Sequence, residues 1–155
     1  MKIFEIKQSD VSGRGLFATK LIKKGQQILE FKGPIISYKE TIKKLPNKLS
    51  CPLQIGLNQY IDLCAPGVLV NHSCLPNAGV KNDRFLIAIE DIAPGQEIFY
   101  DYSTTMDDNS WTLKCKCGNR NCRRIIKDFR YLPLSTKERY LGLGIVQSFI
   151  KKKLV

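Results

Sequence analysis

Three cysteines lie close together late in the sequence, as Cys115-x-Cys117-x4-Cys122. Thiolate sulfur is a preferred ligand of zinc, and closed structural zinc sites take four ligands. The chain starts with a strand-like segment, Met1–Ile6, rather than a secretion signal, so we expect an intracellular protein, in cytoplasm or nucleus. The cysteines then favour metal binding over disulfides, whereas Cys51 and Cys64 are interpreted as free, partly buried thiols.

A dense run of polar residues, Asn71-His72-Ser73-Cys74-Leu75-Pro76-Asn77, follows the apolar run Val68-Leu69-Val70. This pattern predicts the end of a strand that opens into a ligand-lining loop. His72 is the only histidine, and no hydrolase motif surrounds it. We therefore interpret His72 as a hydrogen-bonding residue and not as a catalytic base.

Two more segments could serve a ligand. Glycines in Gly13-Arg14-Gly15-Leu16-Phe17-Ala18 allow backbone atoms to approach a ligand closely, although a plain hairpin entry has the same pattern. In Gly95-Gln96-Glu97-Ile98-Phe99-Tyr100-Asp101-Tyr102, the two tyrosines are two residues apart on a predicted strand and therefore share a face. Such aromatic pairs also occur in ordinary packing.

In this order and spacing, the four segments together resemble the SET-domain family of protein-lysine methyltransferases, from about Ile6 to Arg123. The resemblance implies a mostly β fold of short curled sheets with a pseudoknot, together with short helices and a C-terminal helix. It also implies an enzyme that uses S-adenosylmethionine (AdoMet) to methylate a lysine side chain of a protein. Cofactor and lysine would lie on opposite faces, joined by a narrow channel.

The resemblance also implies roles for individual residues. The turn Gly13-Arg14-Gly15 would hold the methionine part of AdoMet, Asn71 would lie near its amino group, and the His72 backbone would lie near the adenine. Tyr102 would be the catalytic tyrosine, in contact with the cofactor methyl group, and Tyr100 would line the lysine channel. A hydroxyl at position 100 favours mono- or dimethylation in similar enzymes.

The same resemblance supplies a fourth metal ligand, Cys74, to Cys115, Cys117 and Cys122. One structural zinc ion held by these four thiolates would fix the C-terminal segment over the active site.

The sequence departs from the family pattern at several points. Phe31 stands where many members have a tyrosine, which leaves the number of methyl groups transferred undecided. Val68-Leu69-Val70 replaces a run that often includes arginine. We expect no cysteine-rich segment before the domain, and the insert from Ser37 to Gly56 is short, which predicts a small wall for the peptide groove.

Short β-branched and aromatic runs must position these residues. They predict strands at Ile3–Ile6, Gly15–Ala18, Gln27–Phe31, Pro34–Ser37, Tyr60–Leu63, Ala78–Lys81, Phe85–Ala88 and Ile98–Tyr100. A short helix is predicted over Tyr38–Leu45, and two turns of the same shape at Ile22–Gln26 and Ile92–Gln96. A polar linker at Ser103–Ser110 follows.

One C-terminal helix is predicted to begin at the capping box Ser135-x-x-Glu138 and to bury Leu141, Ile145, Val146, Phe149 and Ile150. The predicted organisation is a SET catalytic domain over 1–110, a post-SET zinc-binding segment over 111–127 and a helical extension over 128–155.

The net charge of +11 favours an acidic or nucleic-acid-associated partner, such as a nucleoprotein. We expect a monomer with no membrane segment, acting on a protein with an accessible lysine, histones included, while direct nucleic-acid binding is possible but not favoured. Two rival interpretations stay open: a catalytically weak SET-like binding module, and a zinc-dependent nucleic-acid binder based on Cys115–Lys127. Substrate and source are not readable from these residues.

Overall fold

The computed structural model describes residues 2–44 and 52–155. These residues form short strands and helices: β1 (Phe4–Gln8), β2 (Arg14–Ala18), β3 (Gln27–Glu30), β4 (Ile35–Ile36), α1 (Tyr38–Lys44), β5 (Leu53–Gly56), β6 (Gln59–Ile61), β7 (Asn71–His72), β8 (Ala78–Lys81), β9 (Phe85–Ala88), β10 (Phe99–Tyr100), β11 (Leu113–Lys114), β12 (Ile125–Ile126), α2 (Leu134–Leu143) and α3 (Ser148–Lys153). Single 3-10 turns occupy Gly67–Leu69, Tyr102–Thr104 and Phe129–Tyr131. Within the described ranges, no helix has the length and apolar character needed to cross a bilayer.

The strands form several small sheets. Antiparallel pairing joins β1 to β2 and β11 to β12, and two three-stranded sheets have the orders β3-β9-β8 and β4-β6-β5. β7 and β10 pair in parallel, with Asn71 opposite Phe99 and His72 opposite Tyr100. The predicted mostly β architecture with short helices is confirmed.

Two apolar clusters stabilise this arrangement. The larger one lies between the sheets and includes Leu16, Phe31, Val80, Leu86 and Ile98, all fully or almost fully buried. The second lies under the C-terminal extension, where Phe129, Tyr140 and Ile145 pack with Ile89. The extension therefore shares its packing with the sheets, since Ile89 directly follows β9.

The two predicted turns have the same geometry. Gly25 and Gly95 have φ angles of +86° and +84°, the left-handed region that the third position of a type II turn requires. In each turn the glutamine side chain accepts a hydrogen bond from the backbone three residues earlier, Lys23 for Gln26 and Ala93 for Gln96. The preceding isoleucines, Ile22 and Ile92, form a β-bridge that ties the two turns together.

All eight predicted strands exist, most with ends shifted by one or two residues. The sequence analysis missed β5, which has four residues, and also β7, β11 and β12, whose two residues are too few for an alternating pattern to be visible. The strand predicted to end at Val70 is wrong, because Gly67–Leu69 is a 3-10 turn. The helix prediction at Tyr38 is confirmed up to Lys44, and Leu45, Pro46 and Cys51 lie outside the described residues.

The prediction of a single C-terminal helix was wrong. Gly144 has a φ of +69° and ends α2, so α3 begins separately at Ser148. Helix α2 begins at Leu134 after Pro133 and has no side-chain cap. Ser135 therefore lies inside the helix rather than before it. The predicted stripe is buried except for Leu141, which is exposed.

The polar linker prediction was also wrong for its first half. Ser103, Thr104, Thr105 and Asp107 are buried rather than solvated. Cys64, predicted to be partly buried, is exposed.

Close packing between β8 and the extension yields a stability test. A methyl group on Gly79 would stand 2.5 Å from Cγ2 of the fully buried Ile145, so Gly79→Ala must displace this side chain. We expect a loss of about 1–3 kcal/mol in the free energy of unfolding, measured by denaturant titration. The matched control is Gly142→Ala, at an exposed position inside α2 with no atom within 4 Å, where we expect a gain of about 0.5–1 kcal/mol. Equal effects of the two variants would contradict the packing.

Candidate functional site

The candidate site is built on the parallel pair of β7 and β10. Because each strand has only two residues, side chains complete the pairing. The Asn77 side-chain amide donates to the Glu97 carbonyl at 2.8 Å and accepts from the Phe99 backbone N–H at 2.9 Å. The Ser73 backbone N–H donates to the Tyr100 carbonyl at 3.2 Å. The 71–77 segment and the 97–102 segment are therefore adjacent.

One side of this pair is polar. The Asn71 side-chain nitrogen lies 2.8 Å from Glu97 Oε1 and within 3.2 Å of the carbonyl oxygens of Ser12 and Arg14, in the glycine turn. Ser9 donates to the other Glu97 oxygen at 2.9 Å. The structure thus brings the predicted cofactor residues Asn71 and Gly13-Arg14-Gly15 to one place.

A side chain at position 15 would force the Glu97 carboxylate to move. A Cβ there would stand 2.0 Å from Glu97 Oε1 and 3.1 Å from the Asn71 nitrogen. Glu97 is the residue of this polar cluster that the sequence analysis did not name as a site candidate, although it lies within the segment singled out. The only signal was an acidic residue just before a predicted strand, and this position gives no indication of its partners.

A cavity of about 400 Å³ opens beside Glu97, lined by Ser73, Leu75, Asn77, Glu97, Phe99, Cys117 and Asn119 among others. It connects the polar side of the pair with the cysteine segment, since Cys117 and Asn119 belong to the latter. Its walls mix polar and apolar side chains.

The other side of the pair is aromatic. The ring of Tyr100 lies 4.8 Å from the Tyr102 ring and 5.6 Å from the Phe31 ring, between centroids. Tyr102 begins a 3-10 turn, so the expectation that both tyrosines lie on one strand was wrong, but their rings still meet. The Tyr102 hydroxyl donates to the Val70 carbonyl at 2.7 Å, which fixes its orientation.

His72 is buried between the aromatic side and the cysteines. Burial lowers its pKa to about 4, so the ring is neutral at neutral pH. Its Nδ1 accepts from the Tyr102 amide at 3.1 Å, which assigns the proton to Nε2, 3.3 Å from Cys74 Sγ. The histidine side chain therefore bridges Tyr102 and a cysteine as a neutral hydrogen-bonding group.

The four predicted metal ligands meet. The sulfurs of Cys74, Cys115, Cys117 and Cys122 all lie within 4.8 Å of one another. The Cys74 and Cys115 sulfurs are 3.7 Å apart, far beyond the roughly 2.05 Å of a disulfide. A tetrahedron with Zn–S bonds of about 2.3 Å has edges of about 3.8 Å, so this spacing fits zinc.

Backbone amides surround the sulfurs as they do around thiolate ligands. The amides of Cys117, Arg123 and Arg124 lie 3.3–3.5 Å from Cys115, Cys74 and Cys122 sulfurs, respectively. These donors stabilise negative charge on the sulfurs, which is the form that binds metal.

The thiol pKa values show what a bound cation would change in this cluster. Burial raises the pKa of Cys74 to about 11 and also raises that of Cys115, so both are neutral thiols without a cation. Burial opposes ionisation of Cys117 too, but hydrogen bonds from the Cys74 and Asn119 amides lower its pKa to about 6. A divalent cation would hold all four as thiolates.

Comparisons with known proteins agree with this geometry. Residues 13–103 match the profile of the SET domain family. The chain is 30% identical over 132 residues to human histone-lysine N-methyltransferase 2D, covering 76% of this chain and 2% of that protein. It is 30% identical over 144 residues to the variant-silencing SET domain-containing protein of Plasmodium falciparum, covering 79% of this chain and 6% of that protein.

Two solved structures share the fold. The methyltransferase domain of human histone-lysine N-methyltransferase SETMAR aligns with a TM-score of 0.66 and 22% identity, covering 81% of this chain and 58% of that one. KRYPTONITE, solved in complex with mCHH DNA, an H3(1-15) peptide and SAH, aligns with a TM-score of 0.64 and 25% identity, covering 80% and 29%. The chain spans a small fraction, 2–6%, of the length of the curated relatives named above.

The cysteine cluster leads to a metal prediction. We expect purified protein dialysed against a weak chelator to retain about one zinc ion per chain, measured by plasma mass spectrometry. Cys74→Ser should lose most of the zinc and melt at a lower temperature, because three thiolates bind far more weakly than four.

The matched control is Cys64→Ser, an exposed cysteine outside the cluster, which should keep the full metal content. Zinc retention by Cys74→Ser equal to that of the control would remove Cys74 from the ligand set.

Proposed function

Since the chain belongs to the SET domain family, with more than half of its residues matching the family profile, we propose that it is a protein-lysine N-methyltransferase that uses AdoMet. The observation that carries this proposal is the parallel pair of β7 and β10, with a polar hydrogen-bonded cluster around Asn71 on one side and the aromatic rings of Tyr100 and Tyr102 on the other. A methyl donor and an acceptor lysine need these two environments, joined end to end.

Asn71 and Glu97 are proposed to hold the amino group of AdoMet. The Glu97 carboxylate supplies a negative charge for an ammonium group, and Asn71 orients it through the contacts it shares with the turn Gly13-Arg14-Gly15. The His72 backbone, in β7 opposite Tyr100, would face the adenine, as the family resemblance implies. The relative named KRYPTONITE was solved with SAH, the demethylated form of such a donor.

The aromatic side suits an acceptor lysine. Bound AdoMet would supply the methyl group, and the chain must hold the amine of the substrate lysine aligned and neutral. A free lysine has a pKa near 10.4, and an apolar channel together with the positive sulfonium disfavours its ammonium form. Proton loss to water then suffices, so no strong side-chain base is needed. Tyr102, held in place by Val70, would orient the amine and the methyl group.

Tyr100 is proposed to limit the number of methyl groups transferred. Its ring is buried and packs edge-on against Phe31, which is fully buried. A hydroxyl at this position can hold a water molecule that fills space beside the lysine nitrogen. We therefore propose mono- or dimethylation as the product.

We propose one structural zinc ion in the four-cysteine cluster and three functional regions: 1–110 for catalysis, 111–127 for the metal and 128–155 as a helical extension. Zinc would supply no chemistry to the methyl transfer. Instead Cys74, which directly follows β7 and Ser73, would anchor the 111–127 segment beside the cavity.

The proposed substrate is a lysine on a histone or another nucleic-acid-associated protein in the cell interior. Several relatives are named histone-lysine N-methyltransferases, and KRYPTONITE was solved with a histone H3 peptide. A net charge of +11 favours a substrate presented with acidic or nucleic-acid surfaces over a free basic tail. We propose that the enzyme acts as a monomer.

The test is incubation with labelled AdoMet and a panel of purified proteins that includes nucleosomes, histones and ribosomal proteins, followed by mass spectrometry of lysines. We expect a mass increase of one or two methyl groups on specific lysines. Tyr102→Phe should lower turnover by about a hundredfold, the scale of lost alignment, with AdoMet affinity nearly intact.

Tyr131→Phe is the matched control, because it removes a hydroxyl from an exposed tyrosine that bonds Asn109 away from the pair. Unchanged turnover in Tyr102→Phe would remove this residue from the mechanism. Absence of AdoMet binding in the wild-type chain would favour a binding module instead.

Asn71→Ala tests the cofactor side. Loss of a hydrogen bond to a charged group costs about 1.5–3 kcal/mol, so we expect the AdoMet dissociation constant to rise by roughly ten- to a hundredfold. Isothermal titration calorimetry measures this directly. Asn58→Ala, which removes an asparagine that accepts from the Tyr38 amide at the start of α1, should leave the affinity unchanged. Equal affinities of the two variants would refute the assignment of Asn71.

A further inference from the structure

We propose that the C-terminal extension is a positioning element of the candidate active site, acting through the hydrogen bond from Tyr140 to Asp101. The proposal rests on the function proposed above. It assigns a role in catalysis to α2, which lies outside the residues that match the family profile.

Asp101 separates the two tyrosines of the site and is 1% exposed. A buried carboxylate is very unfavourable unless several donors compensate its charge. Arg123 donates to Oδ1 at 2.7 Å, the Ser103 amide donates to the same oxygen at 3.0 Å, and Tyr140 donates to Oδ2 at 2.8 Å. Tyr140 provides the donor to the second oxygen from a residue 39 positions away.

Three segments of the chain therefore converge on one carboxylate. Asp101 follows β10, Arg123 follows the last cysteine of the metal cluster, and Tyr140 lies in α2. The backbone between Tyr100 and Tyr102 cannot shift without breaking bonds to both other segments. This couples the position of the Tyr102 ring to the extension.

More contacts hold the segment that follows. The Gln147 amide donates to the Thr104 carbonyl at 3.1 Å, and the Phe129 amide donates to the Met106 carbonyl at 2.9 Å. Arg130 and Lys153 both bind the Asp107 carboxylate at 2.8 Å. Residues from both ends of the extension thus bind the 101–107 segment.

The segment needs such support. Tyr102–Thr104 is a single 3-10 turn, which has little stability by itself, yet Ser103 and Thr104 are fully buried. Burial and the adjacent Asp101 charge raise the pKa of Tyr140, so its hydroxyl stays a donor. The extension thus supplies both the cover and the hydrogen bonds that fix the start of this turn.

The test is Tyr140→Phe, which keeps the ring and removes only the hydroxyl. We expect kcat to fall about tenfold, below the hundredfold that misplacement by an ångström can cost, with the KM for AdoMet and the zinc content unchanged. Hydrogen exchange should accelerate at the amides of 102–105 and stay unchanged in β8 and β9, which a general loss of stability would not produce. Tyr131→Phe, in the same extension, should change neither kcat nor the hydrogen exchange of 102–105.

A second variant avoids the core. Lys153→Met, at a half-exposed position, releases the Asp107 end of the segment and should accelerate exchange over 105–108 with a smaller fall in kcat. If Tyr140→Phe does not fold, the Lys153→Met result decides.

Unchanged exchange and unchanged kcat in the folded variants would overturn the proposal. Hydrogen exchange needs no turnover, so it separates this proposal from the methyltransferase assignment. Accelerated exchange over 102–105 in a chain that methylates nothing would uphold the coupling and refute the proposed function. Methylation by the wild-type chain, together with unaltered exchange in the variants, would uphold the proposed function and refute the coupling.

Discussion

The site depends on a parallel pair of strands with only two residues each, β7 and β10. Parallel pairing is weak per residue, and so short a ladder cannot hold its own register. The register matters because it places Asn71 and His72 against Phe99 and Tyr100. Asn77 acts as a substitute for a neighbouring strand, since its side chain binds the backbone on both sides of Ile98. Polar side chains thus fix the register that a longer ladder of backbone hydrogen bonds would otherwise fix.

This explains why so many polar groups are buried behind the pair. Asp101, Ser103, Thr104 and Asp107 are each at least nine-tenths buried, and each has identified hydrogen-bond partners. Burying them costs desolvation energy, and their partners come from distant parts of the chain. Such a network tolerates few alternative arrangements, so it specifies one position for the tyrosines in a way that apolar packing alone would not.

Sequence reasoning identified the residues that meet but not what holds them. The four cysteines, Asn71 and both tyrosines were recognised because their spacing forms a distinctive combination. Glu97 and Asp101 were missed as site residues because a single acidic residue in a sequence gives no indication of its partners. The capping box at Ser135-x-x-Glu138 was wrong, whereas Ser37 and Glu40 form these same reciprocal bonds before α1. The Ser-x-x-Glu pattern alone does not distinguish these two sites. At the second one α2 already begins at Leu134, after Pro133, so Ser135 lies inside the helix. Polarity in the 103–107 segment predicted exposure for the same reason: its cover comes from residues more than twenty positions later.

The cysteine cluster and the buried carboxylate form one mechanical unit. Cys74 lies two residues after His72 in β7, and Arg123 directly follows Cys122, so the backbone that carries the sulfurs also carries the guanidinium. The Arg123 amide points at the Cys74 sulfur while its side chain binds Asp101. A displacement of the cysteine segment must therefore move Arg123 relative to Asp101, and with it the turn that begins at Tyr102. His72 provides a second route, because its two ring nitrogens contact the Cys74 sulfur and the Tyr102 amide. Two short connections therefore join the cysteine cluster to Tyr102, so the position of this tyrosine depends on the cluster as well as on β7 and β10. This explains how a two-residue ladder can support the proposed site, where reacting atoms would need close alignment.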